Sequence, residues 1–199
     1  MINRSVFKRL IVVISSPSGA GKSSICKRLL EDDSRLKISI SDTTRQPRDN
    51  ETNGSDYNFI SKDKFESRIK KNEYIEYALV FENYYGSLDK DVSTALEEGF
   101  DVLFDIDWQG ALQLKNSTYP NILTIFITPP SKEAIYDRLK SRAKKSGDNE
   151  QAINNRMSMY ETEMSHQDEY EYIVENNDFE MCVSKIKKII KEQREKLYS

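Results

Sequence analysis

Histidine is nearly absent from this chain and cysteine is scarce: one His and two Cys stand among 199 residues. Cys26 and Cys182 lie far apart, in no C-x-x-C pair and away from the lone His166, so neither a zinc site nor a disulfide framework is signalled. Both are expected as buried thiols in a reducing compartment. A surplus of one charge is also missing. Thirty basic against 33 acidic residues leave a net −3, so no overall positive field is available to hold a nucleic acid or an anionic membrane. Long apolar runs are lacking too. The stretch Leu10–Ile14 behind Arg4, Lys8 and Arg9 is too short for a secretion signal and far too short to span a bilayer. No fixed-period repeat or low-complexity tract occurs. The chain reads as one compact, cytoplasmic domain with no nucleic-acid and no membrane partner.

What is present alternates between strand and helix patterns. Leu10 to Ser15 is rich in Val and Ile, like a strand covered on both faces, and Lys22 to Leu30 takes up helical spacing. KISISDTTR alternates and then turns polar, and RQPRDNETNGSDY is dense in turn formers. A helix is expected from Ser61 to about Asn72, then the strand YIEYALVF and a glycine-containing break at NYYGS, so residues 41–88 read as an α+β insertion. Beyond it come a helix ending near Gly99, the strand DVLFDID, a short helix, the strand NILTIFIT stopped by Pro129-Pro130, and a helix capped by Ser131. Residues 144–151 read as a mobile loop. Phe179, Val183, Ile186 and Ile190 share one helical face and are expected to dock a closing helix on the sheet. The alternation predicts an α/β fold with a parallel sheet.

SSPSGAGKSSI, residues 15–25, joins the first strand to the first helix and matches the phosphate-loop pattern G-x-x-x-x-G-K-S/T everywhere but its first position, where Ser16 replaces glycine. Gly19 and Gly21 can adopt conformations closed to other residues, which lets successive backbone N–H groups face one concavity. The helix N-terminus adds partial positive charge. Lys22 would reach the β- and γ-phosphates and the Ser23 hydroxyl would ligate Mg²⁺, with Ser24 as a neighbour.

The acceptor side is less direct. Arg45 and Arg48 lie in a polar loop; their planar guanidinium forks suit a phosphate monoester, yet paired loop arginines are as often simply solvated. Glu76 interrupts a hydrophobic strand, opposite in direction to Ile75 and Tyr77, and its plain alternative is a solvent-facing carboxylate. Asp105 and Asp107, at i and i+2 at the end of a buried strand, suit a metal shell or an acceptor nucleotide, or else loop caps. His166 has no neighbour suggesting metal or acid–base pairing, and Trp108 is expected to pack between strand and helix.

Four blocks, SISDTTRQPRDNETNGSDYNF, EYIEYA, NYYGS and LFDIDWQG, together with the phosphate loop, resemble the guanylate kinases in order and spacing, over about residues 10–190. The resemblance implies a three-layer P-loop NTPase core, residues 1–40, 89–137 and 157–199, with a GMP-binding lobe at 41–88 and a helical lid at 138–156. It implies phosphorylation of GMP, and of dGMP, by ATP with Mg²⁺, in purine nucleotide metabolism, by a monomer or homodimer. Residues 16–24 and Asn176 would bind ATP: Ser16, Pro17, Ser18, Gly19, Ala20, Gly21, Lys22, Ser23 and Ser24 in the loop, and Asn176 near adenine. GMP would meet Ser41, Arg45, Arg48, Tyr57, Glu76, Tyr85, Ser87, Asp105 and Asp107, with Glu76 reading the N1–H and N2–H₂ edge of guanine. Ser23 and Asp107 would hold the metal. Lys22, Arg45, Arg142 and Arg156 would be catalytic, with Arg138 a further lid arginine, and AKKSG departs from the family's shorter, Arg/Gly-rich stretch. Lys144 and Lys145 there would either substitute as point charges or stay solvated.

Two rivals are set aside on this sequence. A non-catalytic guanylate-kinase-like interaction module would have a degraded phosphate loop, and a P-loop kinase for another small molecule would lack the arginine pair, Tyr57 and Glu76 together.

Overall fold

The computed structural model describes residues 8–49, 51–146 and 150–198. Arg4 and the side chains of Arg142, Lys144 and Lys145 lie outside what is described. The first half of the chain runs β1 (Ile11–Ser15), α1 (Lys22–Asp32), β2 (Leu36–Ile38), β3 (Asp42–Thr43), β4 (Asn58–Phe59), α2 (Lys62–Lys70), β5 (Tyr74–Val80) and β6 (Asn83–Leu88). It continues with α3 (Asp89–Glu97), β7 (Asp101–Asp105), α4 (Trp108–Lys115), β8 (Ile122–Thr128) and α5 (Lys132–Ser146). The chain closes with α6 (Glu150–Ser165), β9 (Tyr172–Glu175) and α7 (Phe179–Tyr198).

The central sheet is parallel throughout, in the order β2-β7-β1-β8-β9. Its middle strand β1 is buried on both faces because helices cover both. Val12 and Ile14 pack with Ile25 and Leu29 of α1 and Val183 and Ile186 of α7. Ile11 and Val13 turn the other way, toward Val92 and Leu96 of α3 and Leu114 of α4. Each of these four β1 side chains is fully out of water, which contributes about 1.5–3 kcal/mol apiece. The three layers fix where β1 ends, and therefore where the loop after it opens. Both cysteines are buried and free, and among the described residues no helix is long and apolar enough to cross a membrane.

Residues 42–88 carry a second sheet, β4-β3-β6-β5, with α2 beside it. Phe65 of α2 is sandwiched between Tyr74 and Tyr84, its ring 4.4 and 5.1 Å from theirs. Fully buried Asp42 accepts from Arg68 and, at 2.7 Å, from the Tyr74 hydroxyl, which ties α2 to β3 and β5.

NYYGS is no break: it is β6, paired with β5 through the two-residue turn Phe81-Glu82, whose φ angles of 46° and 66° suit a hairpin. Gly86 serves this strand by close approach, since a Cβ there would meet the Tyr77 Cβ at 2.9 Å and the Phe65 ring at 3.0 Å. Residues 144–146 and 150–151 are helical rather than loop, the end of α5 and the start of α6, and residues 147–149 of that stretch lie outside what is described. The strand in DVLFDID stops at Asp105, and Asp107 caps α4. Trp108 stacks flat on His166, with ring centroids 3.6 Å apart and planes 8° from parallel. His166 in turn contacts Glu169 through Nδ1 at 2.7 Å, and β9 was not foreseen.

Candidate active site

β1 delivers the chain to the edge of the sheet, and Ser16–Gly21 turn it back into α1. Gly19 and Gly21 have φ of 91° and 97°, where a side chain strains the backbone. Ser16, in the glycine position of the pattern, has no positive φ; its hydroxyl donates to the Pro17 carbonyl at 3.0 Å, so a Cβ is accommodated. Gly21 is also sterically required: a Cβ would lie 2.6 Å from Nδ2 of Asn176. That amide donates to the Ala20 carbonyl at 2.7 Å, and a guanidinium nitrogen of Arg138 donates to the same oxygen at 3.3 Å. A trans peptide points its C=O and the next N–H in opposite directions. Drawing the Ala20 carbonyl toward Asn176 therefore aims the Gly21 N–H away from it. Asn176 is buried and holds the loop from this side; it does not line the cleft.

Lys22 begins α1 and forms an ion pair with Asp105 at the end of β7. Burial by itself would lower the lysine pKa, but the charge and hydrogen bond of Asp105 outweigh it and hold the ammonium well above its ordinary value. Asp107 accepts the Gly110 N–H at 3.1 Å and the Gln109 amide at 2.9 Å, so the loop-cap reading holds for it, while both aspartates still line the same cavity.

That cavity, of about 140 Å³, is walled by Lys22, Ser41, Tyr57, Glu76, Tyr85 and the two aspartates among others. Glu76 points inward with Ala78 while Tyr77 and Leu79 are exposed, so the solvent-facing alternative fails. Its Oε1 is buried with no hydrogen-bond partner. Burial pushes its pKa up to about 7, opposed by the nearby polar groups of Ser87 and assisted by the charge of Asp107. Ser87 sits opposite Glu76 in the β5–β6 register, and its hydroxyl meets that of Ser41 at 3.1 Å. Gly110 makes room for the carboxylate, since a Cβ there would fall 2.5 Å from its Oε2.

A larger cleft of about 480 Å³ runs over the phosphate loop and shares Lys22, Tyr57, Tyr85 and Asp107 with the smaller cavity. Ser23, Ser24, Arg45, Arg48, Arg138 and Arg156 also face it. Tyr57 and Tyr85 meet edge to face at 5.8 Å, and the Arg45 guanidinium lies 5.5 Å from the Tyr57 ring centre. Glu51, which sequence reasoning passed over, organises the arginine pair: it accepts from the Arg45 guanidinium and from the Arg48 backbone N–H, each at 2.8 Å. Glu163 of α6 was missed as well; it accepts the Ser18 N–H of the loop at 3.1 Å, and burial raises its pKa to about 7. Neither carries a sequence signal, whereas a glycine inside a helical pattern gave Gly110 a weak one. A separate cavity of about 510 Å³ lies between Lys8, Arg9 and α7, but Arg194 there is committed to Asp33 and Asp101 and Arg9 to Tyr198, so the chemistry is not placed in it.

A phosphate loop at the strand ends of a parallel sheet, an arginine-lined cleft above it and a second cavity sharing its walls define a P-loop phosphotransferase. The family model described as guanylate kinase matches residues 8–193, and the chain belongs to the guanylate kinase family. The guanylate kinase of Rickettsia felis is 48% identical over 191 residues, covering 96% of this chain and 97% of that one. That of Paramagnetospirillum magneticum is 42% identical over 185 residues, covering 93% and 85%. The crystal structure of guanylate kinase from Anaplasma phagocytophilum superposes with a TM-score of 0.77 at 32% identity, covering 94% of this chain and 86% of that one.

Proposed function

We propose that the protein transfers the γ-phosphoryl group of ATP directly to a phosphate oxygen of GMP, giving ADP and GDP. The observation that carries the reading is the orphaned Oε1 of Glu76 in a cavity that Lys22 also lines. Guanine offers adjacent N1–H and N2–H₂ donors that one carboxylate accepts together. Adenine has no such edge, and a site left with an unpaired buried carboxylate rejects it. With the base against Glu76, Ser41 and Ser87, the phosphate of GMP falls among Tyr57, Tyr85, Arg45 and Arg48. ATP lies over Ser16–Ser24, and the two phosphate groups meet beside Lys22. Residues 41–88 are then the acceptor lobe, and 138–156, carrying Arg138, Arg142 and Arg156, the lid. dGMP, with the same base and phosphate, is accepted as well.

No general base is required, because a nucleotide phosphate is largely dianionic at neutral pH, its second pKa being about 6. Catalysis is alignment and charge neutralisation. Lys22, kept protonated by Asp105 when the site is empty, moves its charge to the transferring group. Arg45, released from Glu51, and the lid arginines surround it and exclude water. The exposed Ser23 hydroxyl and the Asp107 carboxylate are hard oxygen donors in one cleft, a set that suits Mg²⁺ held mainly by phosphates and water. Ser23 and Asp107 would hold Mg²⁺ there, and the ion would supply positive charge against that of the phosphates.

The test is a coupled ADP-release assay offering GMP, dGMP, AMP, CMP and UMP in turn. Strong turnover with GMP alone among the ribonucleotides is expected; equal turnover with AMP, or none with GMP, would discard the reading.

A further inference from the structure

Glu163 touches neither the base cavity nor, in the scheme above, any reacting atom, yet its carboxylate is drawn into the phosphate cleft. It lies on α6, seven residues after Arg156, and seven residues are two helical turns, so the two side chains share one face of the helix. Both line the cleft over the phosphate loop. The Glu163 Oε2 accepts the N–H of Ser18, which precedes Gly19 and stands outside the first turn of α1, whose free N–H groups are those suited to phosphate. Lys22 and Asp107 are the charged groups that face it from α1 and from the β7–α4 turn. Three residues further on, His166 stacks on Trp108, next to Asp107. The end of α6 is therefore seated at two points, one on the phosphate loop and one beside the aspartate of the acceptor cavity.

We propose that Glu163 is a positioning residue: its hydrogen bond to the Ser18 N–H registers α6 on the phosphate loop and thereby sets where Arg156 stands against the transferring phosphates. The loop is then held from two sides, by Asn176 and Arg138 at the Ala20 carbonyl and by Glu163 at the Ser18 amide. The acceptor oxygen is what this role needs, and the negative charge is incidental. Since a shift of the order of an ångström between reacting groups costs up to about a hundredfold in rate, loss of the seat falls on turnover rather than on GMP binding.

This inference rests on the proposed GMP kinase activity, and wild-type turnover with GMP tests that reading separately. With it established, Glu163→Ala is expected to lower kcat about tenfold or more while the KM for GMP stays within about twofold. Glu163→Gln, which keeps an oxygen able to accept the Ser18 N–H, should recover most of the loss. Glu163→Asp, one methylene too short, should not; being conservative, it also guards against misfolding of the alanine variant. Adding Glu163→Ala to Arg156→Ala should cost no more than about a further twofold, because Glu163 acts through the placement of Arg156. Glutamine as damaging as alanine, full activity of the Asp variant, or multiplicative losses in the double variant would each overturn the proposal.

Discussion

Lowering the pH should release GMP from this protein, and the size of the effect follows from Glu76. Its carboxylate is buried, and in the empty protein its pKa is raised to about 7. Only the ionised form accepts both guanine donors, so the apparent dissociation constant scales as one plus the ratio of proton concentration to the acid constant. From a pKa of about 7 that factor is about 1.1 at pH 8 and about 11 at pH 6, a tenfold loss of affinity, or about 1.4 kcal/mol. The phosphate of GMP also titrates, near pH 6, so the measurement needs a reference in which position 76 does not. Calorimetric titration of GMP into the wild type and Glu76→Gln from pH 6 to 8 provides it. The variant should bind more weakly throughout and show only the phosphate's own slope. The wild type should show the extra tenfold and release a proton to buffer near pH 7 as GMP binds. Equal slopes in the two proteins would refute the reasoning. The same group affects stability: the free carboxyl ionises at 4.5 and the folded one at about 7, so folding weakens as pH rises through that window. GMP should offset this loss above pH 7, visible as a larger ligand-induced rise in Tm at pH 8 than at pH 6.

Lys22→Ala should reduce phosphoryl transfer by about a thousandfold or more in the coupled assay, with GMP affinity by calorimetry changed only a few-fold. Gly110→Ala forces a methyl to within 2.5 Å of the Glu76 carboxylate; GMP binding should weaken by about tenfold or more, while binding of an ATP analogue stays unaltered. Glu51→Ala frees Arg45 and leaves the Arg48 loop without its acceptor; the KM for GMP should rise several-fold with little change in that for ATP. Asp42→Ala takes the buried acceptor from both Arg68 and Tyr74, leaving Arg68 only its contact with Glu73 at 3.6 Å; a loss of about 1–3 kcal/mol is expected, read as a lower midpoint in urea.

The sequence pattern carried the central sheet where burial is symmetric. Leu10–Ile14 and NILTIFIT are near-continuous aliphatic runs because helices cover both faces of β1 and β8. β9 escaped because it is a four-residue edge strand with Ile173 about half exposed, so it shows no uninterrupted apolar run. β6 was misread because its glycine looks like a breaker until the facing Phe65 and Tyr77 are known, and these contacts are set by tertiary packing. The turn between β1 and α1 was legible in its glycines, since the positive φ of Gly19 and Gly21 is a local matter. Glu51, Gly110 and Glu163 were not, because each acts on a residue brought near by the fold: Gly110 on Glu76, 34 positions away, and Glu163 on Ser18, with |i−j| of 145.

The two cavities share one wall, built from Lys22, Tyr57, Val80, Tyr85 and Asp107, while Glu76, Ser41 and Ser87 stand apart from it on the lobe side, with Gly110 giving the glutamate its space. In the proposed scheme, choice of base and transfer of phosphate are divided between separable groups of side chains. Remodelling the lobe wall alone should then be enough to retarget the enzyme to another purine.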